Sequence, residues 1–159
     1  MACHAGPNII EDNLIFYADA ANSKSYTGSG TSWNDISGNG NNGTIDGATF
    51  NTDVFDFDGS DDLISFSQYD FGTAISLFAF IKPISQNSIR TLFSNAGSGG
   101  SSNGLHFYLN NWNTTSNRLV IEYGDGSSGS SVQSGDNTIT NGIWPVSYTH
   151  LTLPTKRIV

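Results

Sequence analysis

Asp58-Gly-Ser-Asp-Asp62 packs three carboxylates and one hydroxyl into five residues. Oxygen ligands crowded into a tight turn are what Ca2+ coordinates. Asp58, Ser60 and Asp62 are therefore candidate metal ligands, and Ca2+ is the candidate cofactor. The segment is no EF-hand, because the twelve-residue pattern and its closing glutamate are missing. Asp in a turn has a plainer use, accepting hydrogen bonds from nearby backbone N–H groups, and that use competes with the metal. The run Asp35 to Gly40, D-I-S-G-N-G, poses the same choice. His106 and Tyr108 alternate with Leu105, Phe107 and Leu109, which places the two polar rings on one face of a strand. Trp112 follows in the polar run Asn-Asn-Trp-Asn, where an exposed indole is costly without a use. Aromatic faces beside hydrogen-bonding groups hold sugars, so His106, Tyr108 and Trp112 are candidate glycan contacts. The alternative for Trp112 is a lid folded back onto a sheet.

Catalysis lacks its usual parts. Hydrolysis of a glycosidic bond needs two carboxyl groups flanking it. The chain has two glutamates, Glu11 and Glu122, far apart in sequence. Asp125 lies beyond the end of the strand that carries Glu122, not two residues away on the same face. No Ser/His/Asp set has a readable context. Cys3 is the only cysteine, without activating neighbours and without a partner for an internal disulfide. The chain is expected not to be an enzyme.

The elements that would position these residues are strands. Fourteen acids stand against six bases, and twelve of the acids are Asp, which prefers turns to helix interiors. A sequence pI near 4.4 repels phosphate, so no nucleic-acid partner is expected. No apolar run spans a bilayer, so no membrane partner is expected either. The opening MACHAGPNII has no basic or apolar region of a secretory signal. Gly, Ser, Asn and Thr interrupt the chain every few residues, and the apolar runs between them are short and rich in Phe, Ile and Tyr. That pattern predicts an all-β sandwich or barrel. Leu14–Ala18 is the first candidate strand. Ser37–Thr44 is a run of turn signals. Val54–Asp58 alternates, with Phe55 and Phe57 on one face, and reads as a hairpin with Asp62–Phe66. Ala74–Lys82 is apolar on both faces, as in a central strand ended by Pro83. Ile89–Ser94, Gly104–Asn110 and Arg118–Tyr123 are further strands. The intervening N-A-G-S-G-G-S-S-N-G and G-D-G-S-S-G-S-S-V-Q-S-G-D-N read as loops.

Three pieces occur in a specific order: D-A-A-N (Asp19 to Asn22), W-x-D-x-S-G-x-G-N-x-G (Trp33 to Gly43) and F-D-G-x-D-D (Phe57 to Asp62). Together they resemble the laminin-G-like domains of the concanavalin A-like lectin/glucanase superfamily, including predicted bacteriophage tail-fibre and structural proteins. The resemblance runs on through AISLFAFIK and RLVIEYGDG to Trp144. It implies an antiparallel β-sandwich of jelly-roll topology, with Trp33 in its core. It also implies a non-catalytic carbohydrate-binding or structural module of a tail fibre or other virion protein. The partners implied are a cell-surface glycan or other virion proteins, and the location implied is the virion. The alternatives are an extracellular adhesin domain at a bacterial cell surface, and the binding part of a glycan-active enzyme. Glucanases of this fold carry E-x-D-x-E or E-x-D-x-x-E on one strand, and that motif is absent here.

After Trp144 the family pattern calls for a strand of the type W-h-x-h-x-h, with h apolar, and another after an Asn-Gly turn. The chain reads P-V-S-Y-T-H-L-T-L-P-T instead. This resembles a translated sequencing adapter: GTC TCT TAT ACA CAT CTG ACG CTG CCG ACG encodes VSYTHLTLPT without a mismatch. Residues 1–144 are therefore expected to be a partial jelly roll whose C-terminal strands are missing. Residues 145–159 are expected to be adapter-derived and not a domain. A genuine strand over the tail is the competing reading, since Val, Tyr and His alternate there. A sandwich short of strands is expected to expose core rings such as Phe78 and Phe80.

Overall fold

The computed structural model describes residues 12–67, 74–84, 88–95, 104–110, 117–144 and 146–152. The described residues contain strands and turns but no helix, and their sheets are antiparallel. The chain divides into two compact units, Met1–Gln68 and Tyr69–Val159.

In the first unit the strands are short because Asn, Asp, Gly and Ser interrupt every apolar run. β1 (Ser32–Trp33), β2 (Gly43–Asp46) and β5 (Leu63–Ser65) form one sheet in the order β1-β2-β5. β3 (Thr49–Asn51) and β4 (Val54–Asp56) form a separate hairpin. Its two turn residues, Thr52 and Asp53, both have positive φ, 44° and 72°. This is the backbone of a primed hairpin turn, normally filled by Asn-Gly. Rings hold the unit together through edge and tilted contacts, with these centroid separations. Phe16 meets Phe66 at 4.7 Å, Trp33 meets Phe66 at 6.4 Å and Phe55 at 5.0 Å, and Tyr26 meets Phe55 at 4.9 Å and Phe50 at 5.0 Å. Trp33, expected in the core, joins this ring cluster but is only partly buried, and its indole N–H has no acceptor among the described residues. Gly43 is required by this packing: a Cβ there would stand 2.5 Å from Phe66 Cε1 and 2.8 Å from Ile64 Cγ2.

Two strand expectations fail here for a physical reason. Val54–Asp58 and Asp62–Phe66 do not pair with each other. β4 pairs with β3, and β5 pairs with β2 in the register Thr44↔Ser65, Ile45↔Ile64 and Asp46↔Leu63. Phe57 lies outside β4 and is exposed. Leu14–Ala18 is not a strand, because side chains take up its backbone groups. The Leu14 carbonyl accepts Asn39 Nδ2 at 2.6 Å, and the Ile15 carbonyl accepts Asn41 Nδ2 at 2.9 Å. Tyr17 N–H donates to Asp35 Oδ1, and the Tyr17 carbonyl accepts Ile36 N–H at 2.7 Å.

In the second unit the strands lengthen. β7 (Arg90–Ser94), β8 (Gly104–Asn110), β9 (Arg118–Gly124) and β10 (Gly129–Gln133) form a sheet in the order β10-β9-β8-β7. β10 falls inside a stretch that composition reads as loop. Pairing overrides that reading, since Ser131 lies opposite Glu122 and Val132 opposite Ile121. Leu105, Phe107 and Ile121 make the apolar face of this sheet. β6 (Ala74–Phe80) lays Ile75 into the same cluster, with Leu77 packed beside it.

The other face of β6 departs from the central-strand expectation, though not from the exposure expected of a sandwich short of strands. A central strand would bury Phe78 and Phe80, yet they are 58% and 63% exposed, in edge contact with each other at 4.9 Å. β6 has one strand partner among the described residues, β11 (Val146–Thr152), in a register running from Val146↔Phe80 to Thr152↔Ala74. β11 is drawn from the tail that resembles adapter. Its alternating β-branched and aromatic residues suit any open sheet edge, so the pairing speaks to strand propensity rather than to origin.

Candidate functional site

The β8–β9 register places His106 opposite Glu122 and Tyr108 opposite Val120. All four lie on the face opposite the Leu105–Phe107 core, as the alternation in β8 requires. On the neighbouring strand, Thr91 lies opposite Tyr108 and Ser94 opposite His106. The polar side chains connect into a row. Thr91 Oγ1 and His106 Nε2 are 2.9 Å apart, and the His106 and Tyr108 rings meet at 4.8 Å, tilted by 45°. Tyr108 Oη donates to Glu122 Oε1 at 2.7 Å. Tyr108 is only 5% exposed. Burial, and then the Glu122 carboxylate that accepts its hydrogen bond, push the Tyr108 hydroxyl well above the ordinary phenol range.

This arrangement assigns unequal roles to the sequence candidates. His106 is partly exposed. Tyr108 has no open face on which a sugar could stack, so it acts as a fixed donor that orients Glu122. Trp112 lies outside the described residues. Glu122 and Thr91 join the row although sequence reasoning had not placed them there. Their signal is the cross-strand register, which a strand pattern alone does not supply. Beside the row, Arg118 Nη1 donates to Gln133 Oε1 at 3.0 Å, and its Nε pairs with Asp136 Oδ1.

The Asp58 turn is built differently from the row. Asp58 N–H donates to Asp62 Oδ2 at 2.7 Å, and Ser60 N–H donates to Asp58 Oδ1 at 2.8 Å. Carboxylate oxygens of Asp58, Asp61 and Asp62 lie within 4.8 Å of one another. Asp61 joins Asp58 and Asp62 in this cluster. Hard oxygens this close suit Ca2+, but an ion would compete with two backbone N–H groups for the same carboxylates. Gly47, at φ +79°, leaves room for Asp62: a Cβ there would lie 2.1 Å from Asp62 Oδ1. Capping the turn accounts for these placements.

Asp35 makes more such bonds. Its Oδ1 accepts Tyr17 N–H and Ser37 N–H, and its Oδ2 accepts Ser37 Oγ–H and Asn41 N–H, at 2.8–3.0 Å. Burial acts to raise this carboxyl, but those donors outweigh it and hold it below the usual carboxylate range. The D-A-A-N step also folds on itself. Asp19 Oδ1 accepts Ala21 N–H, Asn22 Oδ1 accepts Lys24 N–H, and buried Ser25 Oγ bridges Asp19 N–H and the Asn34 carbonyl. The motif residues of the first unit are occupied in holding backbone. Compared with protein-family models, with curated proteins and with solved structures, the chain matches none.

Proposed function

We propose that the chain is a non-catalytic carbohydrate-recognition domain of the laminin-G-like jelly-roll type, from a phage tail fibre or another virion protein. The family and its virion setting rest on the three ordered sequence motifs. The site rests on one observation: His106 and Glu122 are cross-strand partners on a sheet face, fixed by Thr91 and buried Tyr108. A carboxylate and an imidazole held rigidly side by side offer an acceptor and a donor to adjacent sugar hydroxyls at little entropic cost. β9 carries a single carboxylate, so a glycosidase pair on that strand is not available. A second reading, docking onto other virion proteins, draws on exposed Phe78, Phe80, Ile84, Ile143 and Trp144.

A glycan array on the 159-residue chain tests the first reading. One glycan class is expected to bind, and His106→Ala and Glu122→Ala are each expected to weaken it about tenfold, or about 1.4 kcal/mol. Binding that both variants leave intact, or no binding at all, would overturn it. We also infer that residues 145–159 are foreign to the domain, on the strength of the ten-residue adapter match. DNA prepared without that adapter and read past codon 144 decides this, and VSYTHLTLPT recurring there would refute it.

A further inference from the structure

An Asn-Gly pair is open to spontaneous deamidation, because glycine leaves its backbone nitrogen uncrowded and free to approach the preceding side chain. Three such pairs lie wholly among the described residues: Asn39-Gly40, Asn42-Gly43 and Asn141-Gly142. Asn103-Gly104 is a fourth in the sequence, and its asparagine lies outside them. The three differ in the state of the glycine N–H, which is the nucleophile. Gly43 is buried and pairs with Trp33 between β1 and β2. Gly142 N–H donates to the Pro83 carbonyl at 2.8 Å. Gly40 is exposed, has φ +74°, and a Cβ built on it would meet nothing within 4 Å. No acceptor among the described residues takes its N–H.

We infer that Asn39 is a self-modification site, at which water replaces the side-chain amide as the chain ages. The Gly40 nitrogen forms a bond to Asn39 Cγ, and the Cγ–Nδ2 bond breaks. The Gly40 N–H proton leaves with Nδ2 as ammonia, and a succinimide ring remains. Water then adds to either ring carbonyl and gives aspartate or isoaspartate, with no oxidant, reductant or enzyme. The consequence is set by what Asn39 holds. Its Nδ2 donates to the Leu14 carbonyl at 2.6 Å, to the Ile15 carbonyl at 3.2 Å and to Ser37 Oγ at 3.1 Å. The product puts an acceptor-only carboxylate in that place, so two carbonyls lose a donor and face a negative charge. Asn41 Nδ2 still reaches the Ile15 carbonyl, and Asp35 still accepts Tyr17 N–H, so the release is local to residues 14–16. The same bonds restrain Asn39 beforehand. It reacts more slowly in the folded chain than in an unfolded one, yet ahead of the two pairs whose nucleophiles are engaged.

Peptide mapping by mass spectrometry, on the full chain aged in mildly alkaline buffer, reads the site. Aspartate and isoaspartate are expected at position 39 before positions 42 and 141, whereas in urea the three are expected to react together. Chymotrypsin is expected to cut after Phe16 about fivefold faster in Asn39→Asp than in the fresh chain, the effect of one lost hydrogen bond on local opening. The aged chain should move toward the same rate. Gly40→Asn keeps a residue that tolerates the left-handed backbone, crowds the nucleophile, and is expected to hold both readouts at their fresh values. No reaction at position 39, earlier reaction at 42 or 141, or the same order of reaction in urea would overturn the proposal. So would a Phe16 cut that Asn39→Asp leaves unchanged.

Discussion

In the unit Met1–Gln68 the strands are two to four residues long, whereas in Tyr69–Val159 they are five to seven. Short strands leave most backbone groups without a ladder partner, and the first unit meets that need with side chains. Asp19, Asn22, Ser25, Asp35, Asn39 and Asn41 bond to backbone N–H or C=O groups within the same unit. The second unit pairs backbone with backbone and keeps its core for Ile75, Leu105, Phe107 and Ile121. The contrast shows how a chain rich in Asn, Asp and Ser can order loops without lengthening its sheets: short polar side chains take the place of missing strands.

The largest effect that would sharpen this contrast is in the second unit. Leu105 is 1% exposed, and Leu105→Ala is expected to cost about 3 kcal/mol in denaturant unfolding, from lost transfer energy plus a cavity. An effect under about 1 kcal/mol would deny that unit its apolar core. Next comes Asp35. Replacing it with Ala strands the N–H groups of Tyr17, Ser37 and Asn41, at an expected cost of about 2 kcal/mol.

Titration should also separate Asp35 from Tyr108. Asp35 has a depressed folded pKa, so its contribution is full above about pH 4 and is lost as pH falls through the folded value. Tyr108 has a raised folded pKa, so its contribution is full below about pH 10 and is lost as pH rises through the folded value. Acid is expected to remove the Asp35 contribution and alkali the Tyr108 contribution. Amide hydrogen exchange, resolved by unit, reads this out. Asp35→Asn should blunt the acid response and Tyr108→Phe the alkaline one. An acid response that Asp35→Asn leaves whole, or an alkaline one that Tyr108→Phe leaves whole, would break the comparison.

The smallest expected effect is a gain. Thr52 and Asp53 sit at positive φ, where a β-branched residue is strained. Thr52→Asn together with Asp53→Gly supplies the residues such a turn favours and should add about 1 kcal/mol of stability. Thermal unfolding checks it, and a lower midpoint would count against the primed-turn assignment.

The all-β, antiparallel character of the chain could be read from composition, because turn residues divide every apolar run. β8 and β9 could be read from alternation, down to the opposed faces of His106 and Leu105. Pairing could not. Nothing within Val54–Phe66 says that β4 turns back onto β3 while β5 joins β2, since both arrangements satisfy the same alternation. Leu14–Ala18 shows the reverse failure: strand-like residues whose hydrogen bonds are claimed by Asp35, Asn39 and Asn41. At the site, His106 and Tyr108 were legible as neighbours on a strand. The Glu122 contact required a register set between strands that begin fourteen residues apart.

The lane beside β6 has a consequence in time. Its occupant here starts at Val146, 66 residues after Phe80, the position it pairs with. On a ribosome moving at about 5–20 residues per second, β6 waits about 3–13 s before any partner at that distance emerges. Over that interval Phe78 and Phe80 belong to a nascent strand with that edge unfilled. Whatever sequence fills the lane, the cell must shield that strand or tolerate it during synthesis, while the bonds that fix Leu14–Ala18 close within the first 41 residues made.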